Sequence, residues 1–83
     1  MKYTLLHRGK SVWKSTPTQF ITWMRKSDRQ RFETNKEFME GYAHRKKTFE
    51  SISLRPHSET TFIEDLESYG LLKRENIKRW LLF

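Results

Sequence analysis

The side chains of this sequence with the most chemistry to offer are cations, and they come in groups. Arg8, Lys10 and Lys14 form the first; Arg25, Lys26, Arg29 and Arg31 the second; Arg45, Lys46 and Lys47 the third; Lys73, Arg74, Lys78 and Arg79 the fourth. A Lys presents a compact charge to a phosphate, whereas an Arg holds a phosphate or carboxylate through two parallel hydrogen bonds. Such groups suit the backbone of DNA or RNA, an acidic protein surface, or plain solvation of a basic protein. Trp13 stands beside Lys14 and near Lys10, where its ring either stacks on a base or packs over the rest of the fold.

Catalytic and metal chemistry find no comparable support. His7, His44 and His57 lack the spacing that places two imidazoles on one helical face, and each reads as a surface histidine. Gly9, Gly41 and Gly70 are scattered and form no phosphate loop, and there is no nucleophile elbow. Asp65 and Glu67, two apart on a helix, point in different directions. The expectation is a binding protein without catalytic residues, metal or other cofactor.

These groups need elements to carry them. Tyr3–His7 and Ser11–Lys14 flank Arg8-Gly9-Lys10 as a β-hairpin within residues 1–15, with Gly9 supplying the positive φ of a tight turn. Thr16-Pro17-Thr18-Gln19 and Thr34-Asn35-Lys36-Glu37 are capping boxes that start helices over 17–26 and 35–45. Gly41 weakens the second helix unless close packing requires it. Phe49 and Ile52 form at most one helical turn before Arg55-Pro56. A further helix over 59–69 turns Phe62, Leu66 and Tyr69 inward and stops at Gly70, with Leu71 folding back on Leu66. The spacing of Ile77, Trp80 and Leu81 predicts a last helix over 73–82. The fold expected is therefore mainly α: one domain over 1–83, with a hairpin followed by a compact bundle of four to five short helices over 16–83. Phe20, Trp23, Phe38, Tyr42, Phe62, Leu66, Ile77 and Trp80 make up the expected core.

The aromatic spacing Phe20-x-x-Trp23-Met24, Phe38, Phe49 and Phe62-Ile63-x-x-Leu66-Glu67 resembles the YozE group of small bacterial proteins over about residues 18 to 80. That resemblance implies a sterile-alpha-motif-like (SAM-like) helical fold and transfers no functional residue. The chain departs from the group in its hairpin and its more basic loops.

Of 83 residues, 17 are Lys or Arg and 10 are Asp or Glu, a net charge of +7. Glu59, Glu64, Asp65 and Glu67 fall between residues 58 and 70 with no Lys or Arg among them, so this segment carries −4 and the remainder +11. The absence of cysteine fits a reducing compartment, and no apolar run is long enough for a signal peptide or a membrane span; a cytoplasmic location follows. A helix-turn-helix over 59–82 would open its recognition helix with Lys73, Arg74 and Asn76, but would set the acidic helix against DNA phosphates. Two functions stand. One is a nucleic-acid-binding accessory or regulatory factor of a phage or mobile element. The other is a protein-interaction module or inhibitor that docks on an acidic protein, as a monomer or with weak self-association. One continuous basic face favours the first, opposed acidic and basic faces the second.

Overall fold

A computed structural model describes residues 1–75. Within them the chain forms β1 (Lys2–Leu5), β2 (Lys10–Trp13), α1 (Pro17–Ser27), α2 (Asn35–Glu50), α3 (Glu59–Ser68) and β3 (Leu72–Glu75). The hairpin forms as its turn chemistry dictates. Gly9 takes φ +64°, and the Arg8 and Gly9 amides donate to the Leu5 carbonyl at 3.2 and 2.9 Å. Each helix starts on the hydroxyl of its cap: Thr16, Thr34 and Ser58 accept from the amides of Gln19, Glu37 and Thr61. At the end of α3, Gly70 takes φ +73°, the Leu71 amide donates to the Leu66 carbonyl at 2.9 Å, and the Gly70 amide to that of Glu67 at 3.0 Å. This is the Schellman stop expected from Gly70-Leu71.

The mainly helical architecture, and with it the SAM-like bundle and the all-helical 16–83 region, is overturned. The described residues form a three-stranded antiparallel sheet of order β2-β1-β3 and three helices, a mixed α/β fold. Residues 73–75 are strand where helix was expected; 76–82 lie outside the described residues. Tyr3 pairs with Val12 on one side and Arg74 on the other, and Leu5 with Lys10 and Leu72. The physical reason is that a two-stranded hairpin is marginal alone, whereas a third strand satisfies the second edge of β1. β3 also alternates as a strand must: Leu72 is buried, Lys73 is exposed, and Arg74 turns inward to meet Glu67 of α3 at 2.6 Å. Arg74 therefore opens no recognition helix. α2 outruns the expected 35–45 and ends on Ser51 in the left-handed region at φ 56°.

The helices cover one face of the sheet. Tyr3 stacks on Phe20 with centroids 4.2 Å apart, and Phe20 on Trp23 at 5.9 Å. Phe38, Tyr42 and Phe62 pack in tilted and edge-to-face pairs between α2 and α3. Phe20, Phe38, Tyr42, Phe62 and Leu66 are buried as expected, joined by Leu5, Ile21 and Ile63. Trp23 is only half-buried, and Tyr69 caps α3 at the surface instead of facing inward. Ile77 and Trp80 lie outside the described residues. Among the described residues, no helix is long and apolar enough to cross a membrane.

Candidate nucleic-acid interface

The second and third cationic groups meet at the end of α1, where Arg45 from the later turns of α2 reaches Asp28, and the residues there do two different jobs. Arg25 holds the connection together: its Nε donates to Asn35 Oδ1 at 2.9 Å, and its Nη1 to the carbonyls of Phe32 at 2.9 Å and Glu33 at 3.4 Å. Arg45 of α2 reaches back to Asp28 with two hydrogen bonds, of 2.6 and 3.3 Å. Gly41 makes room for the Phe32 ring, since a Cβ there would stand 2.7 Å from it. Close packing is thus the reason for a glycine inside α2. Fixed at these points, the connection presents Arg29 and Arg31 to solvent, with no carboxylate partner among the described residues.

Around this corner runs a series of shallow clefts that share walls. Trp13, Lys14, Trp23 and Lys26 line the first, of about 520 Å³. Lys26 also lines the second, of about 470 Å³, with Arg29 and Arg31. Arg29 passes into the third, of about 410 Å³, where it meets Arg8, Lys10 and Arg45. Arg8 and Arg45 continue into a fourth, of about 260 Å³, with His7, Lys46 and Phe49. Members of three of the four cationic groups therefore line one belt of adjoining clefts. No family model, curated protein or solved structure matches this chain.

The belt is polarised by what is neutralised within it. Burial disfavours the Asp28 carboxylate, but the hydrogen bonds from Arg45 and the Gln30 amide outweigh that and hold its pKa below the ordinary value. Lys46 pairs with Glu50 at 2.6 Å, and it lies, like Arg45, over the Tyr42 ring. Burial, then the charges of Lys46 and Arg8, push the His7 imidazole below its usual pKa, which disfavours its charged form. Burial also raises the pKa of Tyr42, whose hydroxyl is buried with no hydrogen-bond partner among the described residues.

The fourth group is not part of the belt as far as it is described. Lys73 is exposed on β3, at the edge of the sheet away from β2, and Arg74 is held by Glu67. Lys78 and Arg79 lie outside the described residues. Lys47 is exposed on α2 without lining the clefts. Trp13 is 50% exposed on the edge strand β2. Sequence reasoning missed Trp23 and Phe49 as belt residues. Phe49 is 81% exposed although, in a helix that runs past residue 45, it lies at i+7 from Tyr42 on the apolar stripe's own face, so periodicity carried no signal of its exposure. Among the described residues there is no group of three or more His, Cys, Asp or Glu placed to hold a metal.

Proposed function

We propose that the protein is a non-catalytic nucleic-acid-binding factor that grips the phosphate backbone along the belt, acting in the cytoplasm as an accessory or regulatory protein. The observation that carries this reading is the run of adjoining clefts lined by Arg8, Lys10, Lys14, Lys26, Arg29 and Arg31, none of which has a carboxylate partner among the described residues. A row of cations gains its free energy by releasing counterions from the polyanion, and Arg adds bidentate contacts. The opposed-face alternative is less favoured, because of the four carboxylates of α3 only Glu64 is fully exposed. In α3, Asp65 is taken up by Arg55 at 2.8 Å, Glu67 by Arg74 at 2.6 Å, and Glu59 accepts from Asn35 at 3.3 Å.

The test is a salt titration. With about four to six phosphates neutralised on duplex DNA, log K against log[salt] is expected to slope near −4 to −5, with little sequence preference. Reversing Arg29→Glu and Arg31→Glu together should weaken binding to all sequences by about 100-fold and flatten the slope by roughly 2. A flat salt dependence, combined with a pull-down that survives nuclease and is lost in the same variant, would instead assign the belt to an acidic protein partner.

A further inference from the structure

The first cleft of the belt differs from the others in having two tryptophan walls. Trp13 enters it from β2, half its surface exposed, and Trp23 from α1, with Lys14 and Lys26 alongside. Trp23 is not loose. It is the last ring of the column Tyr3–Phe20–Trp23, whose successive interplanar angles are 9° and 25°. The inner two rings are buried in the core, so the outermost is held in orientation by the packing behind it. A flat aromatic ligand entering the cleft finds one pre-oriented ring, a second exposed ring on the edge strand, and a cation on each element. Between them stand Thr18, Gln19 and Thr22. Gln19 accepts from the Ser15 amide and Thr22 from Asn35, which leaves the Gln19 amide N–H groups and the Thr22 hydroxyl proton to donate.

We infer that this cleft is a seat for one unpaired base of a single-stranded nucleic acid, stacked against Trp13 and Trp23 while Lys14 and Lys26 hold the flanking phosphates. The inference rests on the nucleic-acid reading of the belt and gives it a substrate class. A cavity of about 520 Å³ lies in the size range of small-ligand sites. The bases of an intact duplex are already stacked and paired, and cannot reach the seat unless flipped out. Every base offers a π-face, so the seat accepts any of them and reads little sequence.

The experiment compares, for the full chain near 50 mM salt, the affinities for oligothymidylate and for an abasic oligodeoxynucleotide of equal length. Both strands offer the same phosphates, and only one offers bases. Oligothymidylate is expected to bind about tenfold tighter or more. Trp13→Leu should lower its affinity to the abasic level, and Trp13→Phe should keep most of it. Running oligouridylate beside oligothymidylate distinguishes RNA from DNA, and base-dependent binding of either supports the seat. Equal binding of base-bearing and abasic strands in both series overturns the seat and leaves the backbone reading standing. Failure of all strands to bind overturns both. The wild-type comparison decides the matter even if Trp13→Leu does not fold.

Discussion

The acidic helix α3 and the basic corner at the end of α1 are both dense in charge, yet they dispose of it in opposite ways. On α3 three of the four carboxylates, those of Glu59, Asp65 and Glu67, are taken up inside the molecule. Asp65 is buried and takes hydrogen bonds from the Arg55 amide at 2.8 Å and from its guanidinium, which ties the 51–57 connection to the helix. Glu67 does the same for β3 through Arg74. At the corner, Arg25 and Arg45 are spent on holding the chain, and the cations next to them are left over. Charge counted along a sequence is therefore not charge available to a partner; the difference lies in which groups find an internal counterpart.

The largest effect should come from the apolar side of α3. Leu66→Ala empties a fully buried position and should cost about 2–5 kcal/mol. That corresponds to a fall in melting temperature of roughly 10 °C or more. Glu64, exposed on the same helix, should by contrast be replaceable by Gln with nucleic-acid affinity unchanged within about twofold. An unchanged melting temperature for Leu66→Ala would remove α3 from the core.

A second pair of variants separates the two kinds of arginine at the corner. Arg25→Ala strands the carbonyls of Phe32 and Glu33 and should lower stability by about 1–3 kcal/mol in a denaturant titration. Arg29→Ala should leave stability within about 0.5 kcal/mol while weakening binding. If the two behave alike, the division between holding and binding residues fails.

The smallest effect concerns pH. Arg55, through its guanidinium and its amide, holds the Asp65 carboxyl below the ordinary carboxylate range, as Arg45 does for Asp28 against the cost of burial. A depressed folded-state pKa stabilises above the unfolded value, about 3.9, and that stability is lost as pH falls through the lowered value. Asp65→Asn should therefore lower stability at neutral pH and flatten the loss of stability below about pH 4, as followed by circular dichroism. An acid limb as steep as that of the wild type would mean that other carboxylates set it.

The parts of this fold that were legible in the sequence are those whose chemistry is local. The caps at Thr16, Thr34 and Ser58, the hairpin at Gly9 and the stop at Gly70 each depend on residues within a few positions of one another. β3 was not legible for the converse reason. Leu72-Lys73-Arg74-Glu75 is composed of good helix formers, and what makes it a strand is β1, brought beside it by the intervening helices. The site followed the same division. The cationic groups were visible, but their union around Asp28 and Phe32 depends on tertiary packing, as does the exposure of Trp13 and Phe49.

The central position of β1 also has a consequence for biosynthesis. Its partner β2 leaves the ribosome directly after it, but β3 follows only once all three helices have been made. Until then the hairpin carries an open hydrogen-bonding edge that another nascent chain could occupy. Closing it requires a long-range pairing, which is slow compared with helix formation. The interval between synthesis of Trp13 and docking of Leu72 is the period in which this protein is most exposed to misassembly.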